Sequence, residues 1–209
     1  MSRKRKILSY ITGAVIVFFP VIPLMIYKYF YIDYANNLWV IQYFSRYFGI
    51  HHSFPYIINS DNKLVGMTNP LYYGYLYYQI WGLIAFVVGG ARRAVILCII
   101  IMLTVIYIIY NQIFYRILKA VGKNADMYAK GIVALMMWST YSISKMYDDG
   151  ARGEYSGVLL LYIVIGCWIL SLYQQRYVYR VALWMTMSLC MLLLGGTHPI
   201  TTEIGGSVF

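Results

Sequence analysis

Residues 94–114 read AVILCIIIMLTVIYIIYNQIF, a run of 21 residues without an acidic or basic side chain. A helix needs about 20 apolar residues to cross the hydrocarbon core of a bilayer, so this run predicts a membrane-spanning helix. Five further apolar stretches accompany it: Ile7–Tyr27, Pro70–Gly89, Gly131–Met146, Gly157–Tyr173 and Val181–Gly196. The pattern predicts an all-α integral membrane protein with about five to six transmembrane helices.

The composition of the chain excludes an ordinary soluble domain. Of the 209 residues, 61% are hydrophobic and 11% are charged, whereas soluble domains carry about 25% charged residues. A net charge of +10 does not indicate nucleic acid, because the basic residues form short clusters between apolar runs instead of one basic face. The expected partner is therefore the lipid bilayer, in which apolar side chains face lipid.

We interpret residues 1–209 as a single transmembrane domain with three parts. Residues 1–27 hold the first span, an uncleaved helix after the basic start MSRKRK. Residues 28–93 form an external loop with interfacial helices, and residues 94–209 hold the remaining spans. The run from Ile7 to Tyr27 is longer than a signal-peptide core and contains Pro20 and Pro23, where a helix bends.

The basic residues predict the orientation, because Lys and Arg concentrate on the cytoplasmic side of membrane proteins. The cluster Arg3–Lys6 therefore places the N-terminus in the cytoplasm. If Pro70–Gly89 crosses the bilayer, eight basic residues lie inside and nine outside; if it lies along the outer interface or dips in and returns, ten lie inside and seven outside. We favour the second arrangement, whose one cost is that Arg92 and Arg93 lie outside.

Asp33 is the candidate catalytic residue, since it follows the first span within YIDYANNLW, residues 31–39. Asn36 and Asn37 beside it are candidate substrate-binding residues. From there to Phe48 the segment is mildly amphipathic, with apolar residues on one side and Asn37, Gln42 and Arg46 facing away. Two interpretations of Asp33 remain open: a general base or metal ligand at the lipid–water boundary, or an N-cap of an interfacial helix.

A second candidate site is DDGARGEY, residues 148–155, which holds three of the seven acidic residues of the chain. Asp148, Asp149 and Glu154 are candidate ligands of a divalent cation such as Mg or Mn, because these ions prefer oxygen donors. Arg152 is a candidate phosphate ligand. A solvated turn shaped by two glycines explains the same pattern equally well.

His198 closes the set of candidate residues. It follows the last apolar run within GGTHP, residues 195–199. Its side chain is a candidate to bind a phosphate or to move a proton. The alternative is a helix end broken by Pro199, at which a histidine complements the helix dipole.

The motifs DYANNLW, RGEY and GTHP carry a resemblance to a known family. The chain resembles large bacterial polytopic membrane proteins labelled "6-pyruvoyl-tetrahydropterin synthase-related", although nothing in it resembles the soluble pterin enzyme. Its arrangement is also similar to the GT-C glycosyltransferases, which use polyprenyl-phosphate sugars. In those enzymes an essential acidic residue follows the first span, as Asp33 does, and a second acidic site follows the third span, where Asp148, Asp149 or Glu154 would match.

The GT-C resemblance implies transfer of a sugar from a polyprenyl-phosphate donor at the external face of a bacterial plasma membrane. Two alternatives stay open: a non-catalytic protein of envelope polysaccharide assembly that binds lipid-linked sugar or scaffolds partners, and a transporter. GT-C proteins usually have many more spans. We therefore expect this chain to be the N-terminal part of a longer module, and residues 1–209 alone to lack transferase activity.

Overall fold

The computed structural model describes residues 3–26, 32–55, 75–119, 124–147 and 152–197, and these residues are almost entirely helical. Nine α-helices lie in the described part, joined within the first span by a short 3-10 turn, Phe19–Val21. The helices are α1 (Arg3–Phe18), α2 (Ile22–Ile26), α3 (Ile32–His51), α4 (Tyr75–Val88), α5 (Ala91–Leu118), α6 (Ala125–Met137), α7 (Thr140–Tyr147), α8 (Arg152–Leu172) and α9 (Tyr177–Thr197). The predicted all-α class is confirmed.

Four helical segments in the described part are long and apolar enough to cross a membrane. They are Ile7–Ile26, Ala91–Leu118, Tyr155–Leu172 and Tyr177–Gly196. The longest, α5, has 28 residues, which at about 1.5 Å per residue makes it roughly 42 Å long, more than the hydrocarbon core requires. The protein is therefore a multi-span membrane protein.

The first span changes its helical form at Pro20, as the two prolines of this segment predict. Pro20 lies in the 3-10 turn that joins α1 to α2. Proline has no N–H for the α-helical hydrogen bond, so a tighter turn forms there. The carbonyl oxygen of Pro20 accepts a hydrogen bond from the hydroxyl of Tyr147, which ties the bend to the end of α7.

Helices α6 and α7 together run alongside the first span in the same direction. In the middle of α6, Lys130 donates a hydrogen bond to the hydroxyl of Ser9. Further along, the indole N–H of Trp138 donates to the carbonyl oxygen of Ile16 at 3.0 Å. Because α6 ends at Met137 and α7 begins at Thr140, neither reaches the length of a span alone, and the pair together follows the first span to Pro20.

Hydrogen bonds between distant residues give the directions of the other spans. Arg92 at the start of α5 donates to the carbonyl oxygen of Met25 at 2.8 Å, so α5 runs antiparallel to the first span. Arg116 near the end of α5 donates to the carbonyl oxygen of Tyr173 at 3.0 Å, so α8 runs parallel to α5. Helix α9 returns antiparallel to α8 and packs along it.

These directions define two ends of the bundle. We call one of them the α3 end, because α3 begins there. Helices α2, α7 and α9 end at the α3 end, and α5 and α8 begin there. At the N-terminal end lie the start of α1, the end of α5, the start of α6, and the turn between α8 and α9. The described basic residues at the N-terminal end include Arg116, Lys119, Arg176 and Arg180.

The described part of helix α4 has 14 residues and extends about 21 Å, which is less than a membrane span needs. Near its start, the side chain of Leu76 lies close against Gly196 at the end of α9. Its own end leads through Gly89 and Gly90 into α5. The two ends of the described part of α4 therefore both lie at the α3 end, and the placement of Pro70–Gly89 relative to the membrane stays a prediction.

Small residues let the helices approach one another closely, as is common where helices associate in membranes. Gly166 of α8 packs against Ile109 and Tyr110 of α5, where an added Cβ atom would lie 2.6 Å from the Ile109 side chain. Gly82 of α4 packs in the same way against Phe44 of α3, with a corresponding distance of 2.7 Å. The fully buried side chains of Ile99, Leu103 and Ile106 place α5 at the centre of the core.

The close approach at Gly82 generates a stability prediction. Gly82→Ala is expected to lower the free energy of unfolding by about 1–3 kcal/mol, because the new methyl group would displace α3. The matched control is Gly131→Ala in α6, where an added Cβ atom meets nothing within 4 Å. That change should be neutral or stabilise the protein by about 0.5–1 kcal/mol through helix propensity. Unfolding of both variants in detergent, followed by tryptophan fluorescence, measures the difference; equal stability would contradict the packing.

The directions of the spans generate a topology prediction. On a background without Cys98, Cys167 and Cys190, the exposed positions Lys119→Cys and Gln175→Cys should react together with an impermeant maleimide from one side of the membrane. Ser53→Cys, exposed at the α3 end, should react from the opposite side. Labelling of Lys119→Cys and Ser53→Cys from the same side would show that α5 does not cross.

Candidate functional site

Five of the predicted site residues belong to described helices that begin at the α3 end of the bundle. Asp33 and Asn36 lie in α3, and Arg152 and Glu154 lie in the first turn of α8, although the structure describes the positions of their backbones and not their side chains. Asp148, Asp149 and His198 lie outside the described residues. The start of α3, the start of α8 and the end of α9 therefore share one end.

Helix α3 begins at Ile32, which places Asp33 in its first turn and not at the N-cap position. A carboxylate in the first turn interacts favourably with the helix dipole, typically by about 0.3–1 kcal/mol. A structural role and a chemical role for Asp33 are therefore both compatible with its place in the helix.

Asn37 has a structural contact that its sequence context does not reveal. Its side-chain oxygen accepts a hydrogen bond of 2.7 Å from the hydroxyl of Tyr78 in α4. This bond joins two helices whose residues lie 41 positions apart. The predicted substrate-binding residue thus also holds α3 against α4.

The amphipathic pattern of α3 predicts its buried face correctly and its polar face in part. Ile41 and Phe44 are fully buried, and Arg46 is exposed. Asn37 and Gln42, which the pattern places away from the apolar side, each make a hydrogen bond to a neighbouring helix. The side-chain oxygen of Gln42 accepts a hydrogen bond of 3.1 Å from the backbone N–H of Ala91, because α4 and α5 cover a second side of α3.

A cleft of about 450 Å³ opens at the α3 end where the first span, α3 and α5 meet. Its volume falls within the range of small-molecule sites, about 300–1,000 Å³. The lining residues are Met25, Gln42, Gly89, Gly90, Ala91, Arg92, Arg93 and Ile96. The sequence does not predict this cleft. The one sequence feature that points to it is that the favoured topology places Arg92 and Arg93 on the external side, against the tendency of basic residues to lie in the cytoplasm.

The floor of the cleft is the turn Gly89–Gly90, whose backbone conformation requires glycine. Their φ angles are +78° and +154°, values that residues with a side chain rarely adopt. The N–H of Gly90 donates to the carbonyl oxygen of Ala85 at 2.8 Å, which closes α4. Its carbonyl oxygen accepts from the N–H of Ala94 at 3.1 Å, which opens α5.

The two arginines of the cleft have different surroundings. The guanidinium of Arg92 is half-buried and donates to the carbonyl oxygens of Leu24 at 3.0 Å and Met25 at 2.8 Å. These carbonyls lie in the last turn of α2, where a cation is favourable. Arg93 is exposed and lies beside Gly89. Arg92 therefore joins α5 to the first span, whereas Arg93 is accessible to a ligand.

The described residues contain no group of three His, Cys, Asp or Glu side chains that could hold a metal ion. The predicted cation ligands lie elsewhere: Asp148 and Asp149 are outside the described residues, and the side chain of Glu154 is not described. The divalent-cation site stays a prediction.

The different surroundings of the two arginines generate a prediction. Arg92→Gln removes both bonds to the end of α2 and should lower the free energy of unfolding by about 1.5–3 kcal/mol, the usual contribution of hydrogen bonds to a charged group. Arg93→Gln is the matched control and should change stability by less than about 0.5 kcal/mol, as exposed substitutions do. Denaturant titration in detergent compares them, and equal losses would argue against the role of Arg92 at the end of α2.

Comparison of the chain with models of protein families, with curated proteins and with solved structures finds no match. The similarity to GT-C glycosyltransferases therefore rests on the sequence alone, on the place of Asp33 after the first span and of Asp148, Asp149 and Glu154 after a later one. The membrane fold rests on the helices themselves.

Proposed function

We propose that this chain takes part in sugar transfer from a polyprenyl-phosphate donor at the membrane surface, as a GT-C-like glycosyltransferase. The observation that supports this proposal is the direction of the spans. It brings the start of α3 with Asp33, the start of α8 with Arg152, and the end of α9 to the same end of the bundle. Residues 119 to 164 positions away from Asp33 in the chain thereby share its end of the bundle.

We further propose that the α3 end faces the outside of a bacterial plasma membrane and that the N-terminus is cytoplasmic. Ten of the 17 basic residues belong to the N-terminus, to the segment 116–130 or to the turn before α9. In the positive-inside pattern, the end richer in Lys and Arg faces the cytoplasm. A donor built on a polyprenyl phosphate would then present its sugar beside Asp33.

In the proposed reaction, Asp33 accepts the proton of the acceptor hydroxyl as its oxygen bonds to the anomeric carbon of the sugar. The bond between that carbon and the phosphate oxygen breaks, and the lipid phosphate leaves with the bonding electrons. Arg152 and His198 would bind this phosphate, and Asn36 and Asn37 would contact the sugar. Asp148, Asp149 and Glu154 would hold a divalent cation, which when bound supplies positive charge to the leaving phosphate.

The Arg-lined cleft supports a second candidate function, the binding of lipid-linked sugar without catalysis. Such a protein needs the cleft and its arginines but does not need a carboxylate that accepts a proton. The two functions therefore differ in what they require of Asp33.

We predict that Asp33→Asn, made in the protein as the cell produces it, abolishes its effect on envelope sugars and leaves its abundance nearly unchanged. The amide cannot accept a proton, and general-base catalysis contributes roughly 10²- to 10⁴-fold to a rate. The structural cost is small, because losing a carboxylate from the first turn of α3 costs about 0.3–1 kcal/mol. Analysis of envelope glycans together with immunoblotting of membranes provides both measurements.

Asp33→Glu serves as the control, since it keeps the carboxylate and should restore part of the activity. Normal abundance and intact glycans in Asp33→Asn would exclude Asp33 as the base and favour the binding function. Loss of abundance in Asp33→Asn alone, with Asp33→Glu normal, would show that the negative charge stabilises α3.

A further inference from the structure

The cleft at the Gly89–Gly90 turn lies at the end of two spans, where the bilayer surface meets the protein. Met25 is in the last turn of the first span, and Ile96 is in the second turn of α5. Large apolar side chains near this end are exposed, including Phe86 at 49%, Val87 at 76% and Ile26 at 66%. Such side chains are stable when lipid covers them, so the mouth of the cleft lies beside lipid.

The charge of the cleft is positive. Arg92 and Arg93 line it, and none of its eight lining residues is acidic. Arginine binds phosphate through two parallel hydrogen bonds, which makes it the preferred residue for phosphate recognition. The bonds of Arg92 to Leu24 and Met25 fix one guanidinium at the rim, and exposed Arg93 stands beside it in sequence.

The lining of the cleft combines polar and apolar groups. The two glycines leave its floor without side chains, and a Cβ atom added at Gly90 would meet nothing within 4 Å. Gln42 and the arginines supply polar groups, whereas Met25 and Ile96 supply apolar contacts. A ligand that matches both kinds of group has a phosphate group joined to a hydrocarbon chain.

We propose that this cleft binds the phosphate of an anionic membrane lipid, with Arg93 as the residue that contacts the phosphate. Arg92 positions the start of α5, and the lipid chain lies against Met25 and Ile96. The inference does not require Asp33 to be catalytic, and it deepens the second candidate function, because both place a lipid phosphate in this cleft.

The test uses the purified chain in phosphatidylcholine nanodiscs that contain phosphatidylglycerol as the anionic probe. Native mass spectrometry counts the phosphatidylglycerol molecules retained after release from the discs. Arg93→Gln should weaken retention at least about tenfold, the effect of losing hydrogen bonds to a charged group. Arg46→Gln is the matched control, because Arg46 is an exposed arginine at the same end outside the cleft, and it should retain the lipid normally.

A second variant, Met25→Trp, fills the cleft without changing its charge and should also reduce retention. Met25 is 53% exposed, so this change leaves the core intact. Equal retention by Arg93→Gln and Arg46→Gln would overturn the proposal. Displacement of the lipid by an equal concentration of inorganic phosphate would overturn the lipid assignment, because it would show that the hydrocarbon chain contributes nothing.

Discussion

The interior of a bilayer offers no hydrogen-bond partner to the peptide backbone, and the rest of this structure depends on that constraint. Every N–H and C=O group that crosses the membrane must be satisfied within its own helix or by a neighbouring side chain. Where a helix ends or bends, a side chain supplies the missing bond: Arg92 reaches the end of α2, Tyr147 reaches Pro20, and Gln42 reaches the first N–H of α5. These hydrogen bonds thus join neighbouring helices and also satisfy backbone groups that the helices leave without an internal partner.

Helix α5 organises the bundle because it packs against the first span, α4, α6 and α8. Its start and its end are each tied to another helix by an arginine, Arg92 at one end and Arg116 at the other. These two ties fix how the neighbours of α5 run: the first span is antiparallel to it and α8 is parallel to it. The starts of α3 and α8 therefore lie at one end, so the proposed chemistry depends on α5 even though α5 carries none of the predicted catalytic residues.

Polar chemistry in this protein is concentrated at the ends of the bundle. At the N-terminal end, Lys130 is 5% exposed and pairs with Asp126 at 2.6 Å, which compensates its charge. At the α3 end, the exposed guanidinium of Arg93 faces an open cleft. The paired lysine joins α6 to α1, whereas the guanidinium of Arg93 stays exposed at the cleft, where the proposed lipid phosphate would bind. Both charges lie near the ends of the bundle, because burial of charge within a membrane is costly.

Hydropathy by itself determined the class of this protein, since residues 94–114 and the scarcity of charges leave no alternative to helices in a membrane. The spacing of Leu38, Ile41 and Phe44 likewise determined which face of α3 is buried. Only the tertiary structure decided that Gln42 caps α5, that Arg92 holds the first span, and that a cleft opens beside Arg93. These pairs lie 49 and 68 positions apart. Apolar runs do not specify such pairs, because an apolar helix face can contact lipid as favourably as it contacts another helix. The neighbours of each helix are determined instead by close packing at glycines and by polar groups at helix ends.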